Sequence, residues 1–553
     1  MARSRVIDGR VKLVLAAFLA VLCAAYAGRA LAAAPGDLDP TFGGGRVTLP
    51  FGAESGAGGV AVAPDGKVVV AGSSSSMPGF TVARLLPNGS PDPSWGGTGV
   101  VNTPLGPKAF GASDVAVQSD GKVVAVGEVN NDFGIVRYLE NGALDPSFGE
   151  GGVVILPVGK LADQPYAVAI GPGGLIAVTG VSTVSEEPRV LGAGVAVLKG
   201  NGNPETAFSE DGRTIIQTES GNDDRGEGIA FQADGRILIA DATGGGAGDG
   251  FTIVRLGTDG KPDPSFGGDG IVETPIPGEG GIKEGRSTDV AIQPDGKIVA
   301  GGYGADYTGP EGEKEFLTKF ALARYTAAGQ LDPSFGSGGI VSVRRGAGDD
   351  FGRAVAVAPD GRLILAGTYD HNPAPLEEAA APALLRFTSD GSLDPSFGNG
   401  GIVLGDFPSG IEFESVEGMA LQADGRILTS ASASGKESNS AVVSRYLFSP
   451  PAPPSNAFGF GKVRRNRKAG TAKLAVKVPG PGALVLTGGT VVRRHRAAAG
   501  AETVTLLLKA KGSAKRRLLR VGKAKVRAKV TYTPEGGVAR TKAKTVKLVK
   551  RRR

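Results

Sequence analysis

The sequence predicts an all-β protein: a seven-bladed β-propeller closed by an N-terminal strand, followed by a small Ig-like β-sandwich. Three observations carry that expectation. A turn spelled L-D-P-S-F-G stands at 144–149, 331–336 and 393–398, with near-copies at 38–43, 91–96 and 262–267. Between the turns lie alternating apolar segments folded about Asp-Gly pairs. A proline-rich stretch, S-P-P-A-P-P-S at 449–455, then separates this region from a strongly basic tail.

The chain begins with an expected export signal, residues 1–33. Arg3, Arg5, Arg10 and Lys12 precede an uncharged run from Leu13 to Gly28, and Ala30-Leu31-Ala32 offers a small-residue cleavage site. The run is shorter than the about 20 apolar residues a spanning helix needs. The alternative is an uncleaved anchor. Cys23, the single cysteine, lies inside the run with no lipoprotein box around it. Cleavage after Ala32 leaves a chain without disulfides, thiolate metal sites or a cysteine nucleophile. The expected location is extracellular, with association to the cell surface.

Residues 34–448 carry three landmarks in fixed order. The first is the D-P-S-F-G turn, whose aromatic is Phe42, Trp95, Phe148, Phe208, Phe266, Phe335 and Phe397. The second is an Asp-Gly hairpin, as in D-V-A-I-Q-P-D-G-K-I-V-A-G-G (289–302), with its turn glycine at Gly66, Gly121, Gly174, Gly235, Gly296, Gly361 and Gly425. The third is an alternating strand ending in arginine, as in F-T-V-A-R-L (80–85). The spacing of the aromatics runs from 53 to 69 residues. Asp-Gly between apolar runs is a strong hairpin signal because the turn needs positive φ. Each unit reads as four strands, and seven such units read as a propeller. A β-solenoid, the main rival, has shorter repeats and needs end caps that the sequence lacks. The strand near Arg46–Pro50 is expected to complete the blade built from 415–448, removing the exposed sheet edges.

A charged pair recurs at a spacing of eight residues: Arg84 and Asp92, Arg137 and Asp145, Arg255 and Asp263, Arg324 and Asp332, Arg386 and Asp394. Lys199 and Glu205 stand in the degenerate third unit. Asp39 and Arg445 lack partners along the chain and are expected to meet across the closure. These cations either line a binding surface or, on the stronger reading, are neutralised by acids that cap the turns. Removing one member of a buried pair costs roughly 3–5 kcal/mol, which favours pairing.

These residues lead to a resemblance. The phrase G-x-L-D-P-S-F-G-x-G-G, followed by A-V-A-x-Q-x-D-G-K-I, resembles the delta-60 repeat of secreted bacterial proteins, and the Asp-Gly half is similar to NHL-type propeller repeats. The resemblance covers about 38–448. It implies a propeller-like fold and export, and no catalytic residues.

Residues 456–553 hold 28 Lys and Arg against 2 acidic residues, leaving 33 basic and 53 acidic residues before them. Such asymmetry points one half at an anionic partner. Leu474, Val476 and Val478 alternate with Lys473 and Lys477, and Ala524, Val526, Ala528 and Val530 with Lys525, Arg527 and Lys529. Period-two alternation means strands with one buried and one cationic face, and the length suits an antiparallel sandwich. The tail V-K-L-V-K-R-R-R (546–553) is expected to fray. The segment resembles basic C-terminal modules of secreted actinobacterial proteins. Nucleic acid is disfavoured by export and by the scarcity of aromatics, only Phe458, Phe460 and Tyr532. An anionic cell-wall or envelope polymer is the expected partner of 456–553, and a protein or glycan that of the propeller. The chain is expected to be a monomer.

No catalytic motif stands out. The two histidines, His371 and His495, lie far apart, and G-x-S-x-G and H-E-x-x-H are absent. The turn acids Asp65, Asp120, Asp234, Asp295, Asp360 and Asp424 offer oxygen chemistry suited to Ca²⁺. An Asp in a hairpin turn needs no metal, so no cofactor is expected. Asp223, Asp224, Asp349 and Asp350 are candidate acids at the mouth of a central channel. The expected role is non-catalytic binding. The enzymatic alternative, a metal-dependent lactonase or lyase, requires a tight acidic cluster in the channel.

Overall fold

The computed structural model describes residues 33–218, 223–243, 250–279, 284–308, 315–345, 348–370, 380–405, 411–435, 438–449, 455–534 and 539–551. The expected export signal up to Ala32, His371 and most of the proline stretch lie outside the described residues. Two compact units emerge, Ala34–Ser449 and the chain from Pro450 onward. Among the described residues no helix is long and apolar enough to cross a membrane.

The larger unit consists of seven four-stranded antiparallel sheets. Six are simple meanders; the first comprises Ser55–Val62, Val68–Ser74, Phe80–Leu85 and Val100–Thr103. The hairpins form because a glycine stands where the turn requires positive φ, for instance Gly66 at φ 82°. The opening strands of the sheets are Ser55–Val62, Asp114–Val117, Asp163–Ile170, Gly226–Phe231, Gly285–Ile292, Asp350–Val357 and Ile411–Leu421. Each lies against the opening strand of the next sheet, and the last returns to the first. This is a β-propeller fold, and these strands surround its centre. Its core is the series of apolar layers between neighbouring sheets, such as Val69, Phe80, Val82, Trp95, Val115 and Val136.

The seventh sheet takes its outer strand from the start of the chain. Arg46, Val47 and Thr48 pair with Ser444, Val443 and Val442. Further upstream, the Gly36 amide donates to the Leu447 carbonyl at 2.7 Å. Contacts this distant in sequence close the ring and give the seventh sheet its fourth strand.

The second unit holds a three-stranded sheet (Gly459–Asn466, Thr471–Lys477, Thr503–Leu508) and a four-stranded one ordered Arg494–Ala498, Gly482–Thr487, Lys523–Pro534, Arg540–Val549. Their shared core includes Leu474, Val476, Leu486, Leu506, Val526, Val530, Tyr532 and Leu548. Along 523–530 every second side chain is buried and the lysines and Arg527 are exposed. Two expectations are corrected here. Residues 546–549 do not fray: they pair with 523–526, burying Val546 and Leu548. A helix, α1 (Gly512–Val521), also interrupts the strands. It buries Ala514 and Leu518, four residues apart on one face, and ends at Gly522 in the left-handed region.

Candidate functional site

The turn end of each sheet is built around its arginine. Arg84, Arg137, Arg255, Arg324, Arg386 and Arg445 lie 2.8–3.0 Å from Asp92, Asp145, Asp263, Asp332, Asp394 and Asp39. The guanidinium carbons sit 4.5–4.7 Å from the centroids of Trp95, Phe148, Phe266, Phe335, Phe397 and Phe42, a cation–π arrangement. The serine of D-P-S, or Thr41, links both partners: Ser94 Oγ donates to Asp92 at 2.7 Å and accepts from Arg84 at 2.9 Å. The basic residue of D-G-K or D-G-R joins the same acid. Lys67, Lys122, Arg236, Lys297, Arg362 and Arg426 approach to 3.0–3.5 Å.

Each of these six arginines also reaches the next sheet. Nη1 donates to the carbonyl of Glu140, Gly200, Ala327, Ser389, Phe448 or Pro87, in the turn leaving the following sheet's third strand. The arginines therefore staple sheet to sheet and are buried, Arg445 being 1% exposed. They do not form a binding surface. Burial alone raises a carboxyl pKa, but the donors outweigh it: Asp145 is held down to about 2 by Ser147, Arg137 and Lys122. In the third repeat the expected pair is not the equivalent one: Val197 stands in the arginine's place, its amide donating to the Gly212 carbonyl and its carbonyl accepting from the Glu205 amide. Lys199, two residues on, lies 3.7 Å from Glu205, the two 44% and 23% exposed. That junction keeps one backbone bond, from the Ser209 amide to the Asp259 carbonyl.

The channel end follows a different rule. The opening strands slip register between Ala57 and Val60, Pro165 and Ala167, Gly226 and Gly228, Ser287 and Asp289, Gly352 and Ala354, and Val416 and Gly418. A β-bulge re-aims the extra residue. Here the re-aimed residues are Gly58, Tyr166, Glu227, Thr288, Arg353 and Glu417. With Ser113 from the second sheet they line a cavity of about 490 Å³, joined by Phe110, Glu128 and Gln164. All seven stand seven positions before the hairpin's Asp, or Gly173 in the third repeat. That fixed offset was readable from the sequence, but only glutamate occurs twice among the seven residues, so nothing in the residue pattern marked them.

One position further, Asp114 and Asp289 enter a second cavity of about 260 Å³. Each accepts its following amide and one from the next sheet: Val168 to Asp114 at 2.9 Å, Val355 to Asp289 at 2.8 Å. Burial pushes their pKa values up to about 7 and about 6, and Asp289 adds its charge to the shift of Asp114. Desolvation by the surrounding lumen walls likewise raises Glu227 and Glu417, although Glu417 remains open to the cavity, with the Arg353 charge opposing both.

The four candidate mouth acids serve loops. Asp224 accepts from the Thr218 amide and hydroxyl, Asp350 from the Arg345 amide and Asp349 from the Thr318 amide. Asp223 pairs with Arg225 at 3.1 Å. None of the four lines either cavity. Five carboxylates, Asp114, Glu128, Glu227, Asp289 and Glu417, share the channel with Arg353, Tyr166 and small residues that include several glycines. Among the described residues no group of three or more His, Cys, Asp or Glu is placed to hold a metal ion. The turn acids instead bond their own turns, as Asp65 does with the Lys67 amide at 3.1 Å.

Comparison with solved structures finds an unknown-function protein from Dyadobacter fermentans (10% identity, 72% of this chain and 97% of that chain, TM-score 0.35). It also finds a polysaccharide lyase PL25 ulvan lyase (11%, 73% and 93%, TM-score 0.32) and the GH43_1 enzyme from Xanthomonas citri complexed with xylotriose (10%, 69% and 92%, TM-score 0.26). At these identities and TM-scores no activity carries over to this chain. The curated proteins give no match. Residues 63–94, 118–148, 232–266, 293–335 and 358–397 match the family model described as "Domain of unknown function (DUF5122) beta-propeller". Those five segments leave out the third repeat, with its altered staple, and with the closed succession of sheets they support a β-propeller repeat family.

Proposed function

We propose that the chain is an exported, non-catalytic binding scaffold of the cell envelope: a seven-bladed propeller of delta-60 repeats joined to an Ig-like basic module. The propeller presents its channel mouth to a ligand, and residues 456–553 hold the protein to an anionic polymer. One observation carries the reading. A single backbone position brings seven residues, of six types, to one cavity, while the turn-end docking residues recur in six of the seven sheets. Variation at a lined cavity on a scaffold that docks in a repeated way is what ligand recognition requires. The outward Lys523, Lys525, Arg527 and Lys529 support the attachment role.

The test is retention of the full chain on envelope material. Retention is expected at about 0.1 M salt and lost near 1 M, as the screening length falls from roughly 10 to 3 Å. Replacing Lys525, Arg527 and Lys529 with glutamate is expected to abolish it at low salt. Retention indifferent to salt and to these changes overturns the attachment role.

A further inference from the structure

We infer that the channel mouth binds a neutral polyhydroxylated ligand, the terminal sugar units of a glycan. This rests on the binding reading above and names its ligand. The cavity's about 490 Å³ lies within the roughly 300–1,000 Å³ of small-molecule sites. Its wall from the first two sheets is nearly free of bulk, and Phe110 stands there 68% exposed. The Phe110 amide donates to the Glu128 carbonyl at 3.2 Å, and Ala109 bridges to Val129, so the backbone under the ring is pinned. An aromatic face held open beside a polar cavity is suited to the apolar face of a pyranose.

Facing it are Tyr166, Glu227, Arg353 and Glu417. Carboxylate and guanidinium groups each offer paired acceptors or donors, the complement of adjacent hydroxyls. With Glu128, three carboxylates meet one guanidinium, so the lining leans acidic. A lining dense in hydrogen-bonding groups that leans acidic repels anionic ligands, and the open aromatic face beside it suits an uncharged polyhydroxylated one.

The experiment probes the full chain on an array of neutral, acidic and amine-bearing glycans, followed by calorimetric titration of the strongest binder. Neutral glycans are expected to bind, with Phe110→Ala and Glu417→Gln each weakening affinity at least tenfold. Both positions are exposed, so the variants are expected to keep the parent thermal midpoint. Lys122→Ala, at the opposite end of the sheets, is expected to leave affinity unchanged. Binding confined to acidic or amine-bearing glycans, lost in the same variants, overturns the neutral-ligand inference while keeping the cavity as a binding site. Binding insensitive to Phe110→Ala and Glu417→Gln, or no binding to the array or to a lysine-rich peptide, overturns both.

Discussion

The two ends of each repeat obey opposite rules. At the turn end six sheets use the same arginine, acid, hydroxyl, aromatic and second cation, and each arginine reaches the next sheet's carbonyl. At the channel end the seven sheets present glycine, serine, tyrosine, glutamate, threonine, arginine and glutamate. Every sheet must dock on its neighbour in the same way for the ring to close, so the docking chemistry repeats. The lumen residues make none of these repeated docking bonds, so they are free to differ. The third repeat sharpens the contrast. Val197, Glu205, Ala207 and Leu175 replace Arg, Asp, Ser and Lys together, as expected of a network whose members depend on one another.

The largest expected effect comes from breaking a staple at the seam. Arg445 and Asp39 are both 2% exposed in their side chains and 406 residues apart in sequence. Arg445→Ala leaves Asp39 buried with only Arg426 as a cationic partner. The expected cost is roughly 3–5 kcal/mol, read as a lower urea midpoint of the propeller transition. A cost under about 1 kcal/mol, typical of surface pairs, removes the staple from the account of closure.

The converse change repairs the altered junction. Val197→Arg with Glu205→Asp and Ala207→Ser is expected to stabilise by about 1–2 kcal/mol, the order of a partly desolvated cation–π contact. Phe208 is already in place, 2% exposed. A raised thermal midpoint checks it. The same Arg substitution without the acid and hydroxyl changes is expected to give little, since the guanidinium then lacks its linked partners.

Much of this was legible in the sequence, and the exceptions have physical reasons. D-P-S-F-G and the Asp-Gly hairpins announced turns because their residues are chosen by local φ and by local hydrogen bonds such as Ser94 to Asp92. The reach of Arg84 to the Glu140 carbonyl has no local signature, being a consequence of docking two sheets. The basic residue of D-G-K was visible as a pattern, but its place beside the acid of the following D-P-S turn emerges only when the sheet folds. Helix α1 was hidden by the period-two alternation around it, although Ala514, Leu518 and the capping Gly522 mark it. The lumen residues carried a position and no pattern.

Acidity separates the two ends as well. Asp145 at the turn end is held down to about 2 from an ordinary 3.8. Its stabilisation is present above the unfolded value and lost as pH falls from about 4 to 2. Asp114 and Asp289 at the channel end are raised to about 7 and about 6. The folded state holds their protons more tightly than the unfolded chain. Their contribution is therefore complete below about 4 and lost as pH rises through 6 and 7. Urea midpoints measured across pH are expected to peak near about pH 4 and to fall from there towards about 7. Asp114→Asn with Asp289→Asn is expected to flatten the alkaline limb alone; flattening of the acid limb instead reverses the assignment.

The smallest expected effect is at the lumen itself. The bulges are held by backbone bonds on either side, such as Gly352 to Gly367 and Ala354 to Ala366 in the sheet carrying Arg353. Those bonds do not depend on the side chain that the bulge presents. Arg353 and Glu417 are exposed, so Arg353→Ala and Glu417→Gln are each expected to shift stability by less than about 0.5 kcal/mol, the usual range of surface changes. Arg353→Ala also removes the charge that opposes the desolvation-driven rise of Glu227 and Glu417, so both carboxyls titrate at still higher pH. NMR titration of the two carboxyls alongside urea unfolding checks both halves. A loss from Arg353→Ala as large as that from Arg445→Ala makes the lumen part of the closure machinery, and the division between repeated docking and varied recognition then fails.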